Sequence, residues 1–193
     1  MSVFPHAQFL LSAAAAAQFP ADRGAEVAFA GRSNAGKSSA INALVAQKAL
    51  ARASKTPGRT RLINFFALTA ETRLVDLPGY GYASAPEQER RAWPALIEAL
   101  RRRACLRGVF LIVDARRGIG AGDTALLEWA GQLPVHVLLA KSDKLSSAEG
   151  RKALALAART LGNTATVQLF SAHGGTGVEE ARQMLAARIG LSV

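Results

Sequence analysis

Residues 31 to 38 read Gly31-Arg32-Ser33-Asn34-Ala35-Gly36-Lys37-Ser38, a glycine, four residues, then Gly-Lys-Ser. No other stretch restricts the possible folds as much. With this spacing the backbone N–H groups can turn inward around an anion, but only if a strand delivers the chain to the first glycine and a helix carries it onward. Glu26-Val-Ala-Phe-Ala30 reads as a short apolar strand and Ser39-Ala-Ile41-Asn-Ala-Leu44 as a helix, so both requirements are met. The chemistry this predicts is nucleotide phosphate binding. Lys37 reaches the β- and γ-phosphates, the Ser38 hydroxyl takes a place on Mg²⁺, and the helix N-terminus adds its positive dipole end. Gly31 to Ser39 are therefore candidate nucleotide contacts.

The rest of the chain alternates strand and helix. Leu62–Leu68 and Thr72–Val75 suit a hairpin whose second strand runs into Asp76-Leu77-Pro78-Gly79. An acidic residue leaving a strand for a glycine-containing loop fits a Mg²⁺ partner acting through water, and Gly79 can offer its N–H to a γ-phosphate. Val109–Val113 is a buried strand ending in Asp114, followed by a helix from Asp123 to Ala130. Val135–Ala140 is another buried strand, within which His136 reads as a satisfied strand residue. Directly after it stand Lys141-Ser142-Asp143-Lys144. A carboxylate there can accept from the N1–H and the exocyclic amine of guanine, a donor pair that adenine lacks. Capping boxes at Ser84–Glu87, Ser146–Glu149 and Thr176–Glu179 open three helices. The first has Trp93, Leu96, Ile97 and Leu100 inward and a kink or late start at Pro94; the last has Val178, Ala181, Leu185 and Ile189 inward. This pattern predicts an α/β fold: a doubly wound, mostly parallel six-stranded sheet with one antiparallel strand and its site at the carboxyl ends of the strands.

A chain of 193 residues suits one domain, with residues 24–193 as the nucleotide-binding unit and 1–23 as a short extension, helical through its alanines. Gln47 to Arg61 is polar, lacks periodicity and reads as a mobile loop. The formal net charge of +10, from 24 Lys and Arg against 14 Asp and Glu, favours a polyanionic partner such as nucleic acid. Its basic clusters, Arg90-Arg91, Arg101 to Arg103, Arg116-Arg117 and Arg151-Lys152, are scattered, so only folding can assemble a patch. The single cysteine, Cys105, excludes an intramolecular disulfide and reads as a small buried hydrophobe. Phe9 to Ala17 imitates the apolar part of a signal peptide, but no Lys or Arg precedes it, and no run is long enough to cross a bilayer. A cytoplasmic monomer without membrane contact is expected.

Taken together, the phosphate loop, the Thr-containing loop, Asp-x-Pro-Gly, Lys-x-Asp and Ser-Ala follow the order of the five G motifs, and the chain resembles a Ras-like GTPase domain of the translation-factor-related class. The flanking runs Glu26 to Ser39, Lys55-Thr-Pro-Gly-Arg-Thr-Arg-Leu-Ile-Asn-Phe-Phe66 and Val75-Asp-Leu-Pro-Gly-Tyr-Gly-Tyr82 are similar to the EngB (YihA/YsxC) family, relatives of TrmE and Era, from about Glu26 to the last helix. The resemblance implies a GTP-hydrolysing switch, binding GTP and GDP with Mg²⁺, that acts in assembly of the large (50S) ribosomal subunit or its precursor through rRNA and supports growth, division and septation. It implies Pro57, Gly58, Arg59 and Thr60 as the first switch, with Thr60 rather than Thr56 on Mg²⁺, and Phe170, Ser171 and Ala172 as the fifth motif. Lys37, Thr60, Gly79 and Asn34 would carry catalysis. Arg116 and Asp123 also resemble family positions, although Asp123 reads first as a helix cap.

Two departures stand out. Ala140 occupies the place where the guanine motif has Asn or Thr, and Tyr80 follows Gly79 where Ras-like enzymes orient water with Gln, so slow intrinsic turnover is expected. Asn34 matches a loop position that holds K⁺ in TrmE-like GTPases, the alternative being an Asn that bonds its own backbone. Competing readings are a small kinase built on the same loop and a basic RNA-binding module whose nucleotide site is regulatory only.

Overall fold

The structure is a computed structural model describing residues 4–51, 62–81 and 87–191, with the backbone alone for 87–93. Its central strand is β2 (Ala25–Gly31), whose side chains are apolar on both faces: Val27 and Phe29 enter one core, Ala28 and Ala30 the other. Burial on both faces suits a parallel strand covered by helices. β2 is flanked by β4 (Thr72–Asp76) and β5 (Leu106–Asp114), both parallel to it. β6 (Val135–Ala140) and β7 (Ala165–Leu169) extend the sheet beyond β5. On the other side β3 (Ile63–Ala67) pairs antiparallel with β4 as the expected hairpin, and β1 (Gln8–Ala13) pairs antiparallel with β3. The order is β1-β3-β4-β2-β5-β6-β7. β3 alone runs against the others, as expected, but the sheet has seven strands rather than six.

The seventh strand ends at the first of the alanines through which a helix was expected, and beyond it they give only a single 3-10 turn at Ala16–Gln18. Alanine favours helix, yet a few alanines cannot offset the cost of nucleation. The open edge of β3 offers a ladder instead, Phe9 packs edge-on to Phe66, and Ser12 Oγ donates to Asn64 Oδ1 at 2.6 Å. The Gln18 side chain accepts from the N–H groups of Ala14 and Ala15, turning the chain away after the strand.

Helices α1 (Lys37–Leu44) and α5 (Val178–Arg188) cover one face through Ile41, Leu44, Ala181 and Leu185. On the other face lie α2 (Glu87–Arg101), α3 (Ala121–Ala130) and α4 (Ser147–Leu161), through Leu96, Ile97, Leu100, Ala130, Ala157 and Leu161. α2 runs through Pro94, and α3 starts two residues before Asp123. The Ser146–Glu149 capping box forms as expected, with Glu149 N–H donating to Ser146 Oγ and Ser146 N–H to Glu149 Oε2. The third box does not form. Gly177, at a left-handed φ of 70°, precedes the first residue of α5, and Glu179 bonds Arg182 instead. Thr176 is spent one step earlier, its carbonyl accepting from Ser171 N–H. The Ser84 box and the Trp93 side chain lie outside the described residues. So does most of the Gln47–Arg61 loop, although Ala51 is pinned to α1 by two bonds with the Asn42 side chain.

At the amino ends of the strands a carboxylate is buried. Glu26, with no exposed surface, accepts from Arg73 Nε at 2.7 Å and from Arg103 Nε and Nη2 at 2.8 and 2.9 Å. The same guanidiniums hold the carbonyls of Pro20, Ala21 and Arg23, so the segment before β2 is stapled under the sheet. Cys105 is buried as expected; burial pushes its thiol up to about 12.

Candidate functional site

Parallel strands end on the same side of a sheet, so β2, β4, β5, β6 and β7 bring residues 31–38, Asp76, Asp114, Lys141–Asp143 and Ser171 to one rim. The chain leaves β2 towards β4 and returns on the other side to β5, so this rim includes the crevice at a topological switch point.

Lys37 opens α1, and its Nζ makes an ion pair with the Asp76 carboxylate; the two side chains are 12% and 9% exposed. The expected metal-side acid and phosphate-side base are thus neighbours. Ser38 follows in the first turn of α1. Hydroxyl and carboxylate oxygens are the donor types Mg²⁺ takes when it also binds phosphate, so these residues fit it. Among the described residues no three His, Cys, Asp or Glu side chains group into a site of their own. Thr56 and Pro57 to Thr60 lie outside the described residues.

Gly79 packs against the phosphate loop so tightly that a Cβ would sit 3.0 Å from Ser33 Cα. Beside it, Ser33 N–H donates to the Tyr80 carbonyl at 3.0 Å, and Tyr80 pairs with Arg32 as an isolated bridge. The Tyr80 hydroxyl donates to Asp123 Oδ1, and the ring lies on Gly122, where a Cβ would be 3.0 Å away. Burial and the Asp123 carboxylate push the phenol pKa well above its usual value, so it stays neutral. Asp123 also accepts from Gly120 N–H at 2.8 Å. It caps the helix as expected, though from its third residue rather than its first, and carries a second bond that no local pattern signals.

At the other end of the site, Asp143 Oδ1 accepts from Ser171 Oγ at 2.7 Å, and that hydroxyl holds its carboxyl below the usual range. Ser171 in turn accepts from Gly174 N–H. Ser142 N–H donates to the Phe170 carbonyl, while the Phe170 ring is buried in the core; Phe170 contributes backbone, not side chain. Leu77 and Ala35 are buried likewise. Ser142 Oγ is buried without a partner among the described residues, and Lys144 sits 3.4 Å from Asp143. Lys141 Nζ donates to the Asn34 carbonyl at 2.6 Å and to Asp114 Oδ2 at 3.0 Å, tying the guanine loop to the phosphate loop. Asn34 has a left-handed φ of 63°, which Asn tolerates, and its side chain bonds neither its own backbone nor another described residue.

Outside the rim, His136 is the satisfied residue expected: its ring nitrogens meet Thr166 Oγ1 and Gln168 Oε1 at 2.7 and 2.8 Å, and burial lowers its pKa. Several arginines of the basic clusters are committed elsewhere, Arg103 to Glu26, Arg101 and Arg102 to Glu98, and Arg116 to Asp114; Arg73 is paired to Glu26 as well.

Comparison with known proteins agrees with this geometry. A family model described as a 50S ribosome-binding GTPase matches residues 26–141. Coxiella burnetii proteins described as probable GTP-binding protein EngB are 48% identical over 189 residues, spanning 95% of this chain and 92% of theirs. A crystal structure of a probable GTP-binding protein engB superposes with a TM-score of 0.66 at 24% identity, covering 86% of this chain and 99% of that one. A crystal structure of an Aquifex aeolicus Era variant bound to GDP·AlF4⁻ aligns with a TM-score of 0.62 at 19% identity, over 86% of this chain and 57% of that one.

Proposed function

The chain belongs to the EngB family of GTP-binding GTPases, and from that premise we propose that it is a GTP-dependent switch in assembly of the large ribosomal subunit. The observation that carries the reading is the convergence of Lys37, Asp76 and the Ser171–Asp143 pair on one rim, with the family's description as ribosome-binding beside it. Family membership sets aside the small-kinase alternative.

Lys37 would neutralise the β- and γ-phosphates, and a triphosphate-bound Lys37 must give up its direct pair with Asp76. Ser38, Asp76 through water and Thr60 would hold Mg²⁺, which when bound supplies charge neutralisation between the β- and γ-oxygens. Gly79 N–H would face the γ-phosphate. Asp143 would accept from guanine, with Ser171 and Ser142 N–H holding its loop in place. Tyr80, whose hydroxyl is spent on Asp123, leaves water orientation to other groups, which accords with slow intrinsic turnover. The exposed side chain of Asn34 is free to turn to a K⁺ ion beside the phosphates. Hydrolysis several-fold faster in KCl than in NaCl at matched ionic strength is expected, and equal rates remove K⁺ from the account.

The partners on this reading are GTP or GDP and the large subunit or its precursor through rRNA, and the protein works as a cytoplasmic monomer whose residues 24–193 carry the nucleotide site, with β1 of the preceding segment forming the edge of the same sheet. Support for an RNA partner is the net charge of +10. No helix among the described residues is long and apolar enough to cross a membrane. Sedimentation with ribosomal subunits tests the proposal: GTP-dependent association with the large subunit or its precursor is expected over GDP and no nucleotide. Association indifferent to nucleotide would remove the switch and leave a plain RNA-binding module.

A further inference from the structure

We propose that Asp114 is a positioning residue of the guanine site, acting through Lys141 in place of the polar side chain that residue 140 lacks. Ala140 ends β6 with a methyl group, 3% exposed, that can make no hydrogen bond to the phosphate loop. Ser142 and Asp143 are tied to Phe170 and Ser171, which anchors their loop to the end of β7. Among the described residues the Lys141 ammonium is the side chain of this loop that reaches the phosphate loop, at the Asn34 carbonyl.

A lysine head on a four-carbon stem is a poor spacer unless something fixes it. Asp114 does so. Its carboxylate, 7% exposed, accepts four hydrogen bonds among the described residues: from Arg116 N–H, Nε and Nη2 at 3.1, 2.9 and 2.7 Å, and from Lys141 Nζ at 3.0 Å. Three of the four come from one residue two positions on, so the carboxylate is oriented before Lys141 meets it. The Arg116 guanidinium beside it also holds its carboxyl well below the usual carboxylate range, so the charge persists at every working pH. Lys141 itself has a left-handed φ of 62°, a conformation that costs a side-chain-bearing residue energy and is kept where surrounding contacts over-determine it. The two bonds of its ammonium join the backbone bonds Ser142 N–H to Phe170 and Lys144 N–H to the Lys141 carbonyl as those contacts. The carboxylate at the end of β5 thus sets the distance between guanine loop and phosphate loop, and with it the fit of base and phosphates at the same time.

The test uses the purified full chain and needs no ribosome, so it stands apart from the assembly role. Asp114→Asn is expected to weaken GDP and GTP alike by about tenfold, with kcat at saturating GTP within about twofold, because the γ-phosphate groups are untouched. In a Lys141→Met background, which leaves Asp114 paired to Arg116, adding Asp114→Asn should cost less than about twofold more, since neighbours acting through one another are not additive. Adding Ala140→Asn to Asp114→Asn should restore most of the lost affinity. Unchanged nucleotide affinity, full additivity with Lys141→Met, or failure of Ala140→Asn to restore binding each overturns the proposal. Should Asp114→Asn melt too low to assay, Arg116→Gln removes two of the three bonds that orient the carboxylate, from a half-exposed position. Parallel weakening of GDP and GTP is then expected, and unchanged affinity overturns the proposal.

Discussion

Lys37→Ala is expected to weaken GTP and GDP binding by about a hundredfold or more, with loss of hydrolysis at ordinary substrate concentrations. Lys37 sits at the first residue of α1 with its ammonium largely screened from water and paired to Asp76. Truncation removes the cation placed to meet the phosphates and leaves the Asp76 carboxylate unopposed where phosphate oxygens must enter, so the penalty has both a lost attraction and a new repulsion. Removing the carboxylate as well, in Lys37→Ala with Asp76→Asn, should recover part of the binding but not the hydrolysis, because Asp76 is also the metal-side acid. Titration calorimetry with GDP measures the first effect. A loss smaller than about threefold would place the phosphates away from Lys37.

The second large effect concerns stability. Glu26 has no exposed surface and serves two arginines. Glu26→Gln keeps the shape but takes from two guanidiniums the carboxylate charge they share, a change expected to cost about 3–5 kcal/mol. For a chain of this length that corresponds to a fall in melting temperature of roughly 10 °C. Because buried ion pairs are costly to desolvate, the network need not be worth much against an apolar one. Glu26→Leu combined with Arg73→Met and Arg103→Met should therefore return most of the lost stability. Urea denaturation of the three proteins checks this; a loss below about 1 kcal/mol in Glu26→Gln would mean the triad behaves like a surface pair.

What could be read from the sequence follows from how local each signal is. The phosphate loop, Asp76 and Lys141–Asp143 are short runs whose residue types and strand-end positions carry their own chemistry. The Ser146 cap spans four residues, and the inward stripe of α5 is a simple period. β1 was illegible because its partner, β3, lies some fifty residues on. The Thr176 cap failed because Gly177 adopts the left-handed turn that places α5. The Tyr80–Asp123 bond, the Asp114–Lys141 bond and the burial of Arg73 and Arg103 each join residues far apart in the chain. Asp114 had one visible sign, an acid closing the apolar run Val109–Val113 with arginines just after it. Nothing local announced that Lys141 would return to it.

The Glu26 triad also sets an order of events during synthesis. β2 emerges early, carrying a carboxylate that has to go into the interior; Arg73 follows with β4, and Arg103 only at the end of α2. Until that last guanidinium leaves the exit tunnel, closing the sheet around β2 means burying a carboxylate whose Oε2 has no donor, which costs roughly 1–3 kcal/mol. The growing chain is thereby kept from settling on its amino-terminal half, where the β2–β4 pair could otherwise lock in before β5 exists to share it. Folding is deferred until more than half of the polypeptide has been made, and a ribosome stalled before Arg103 should display a nascent chain open to protease.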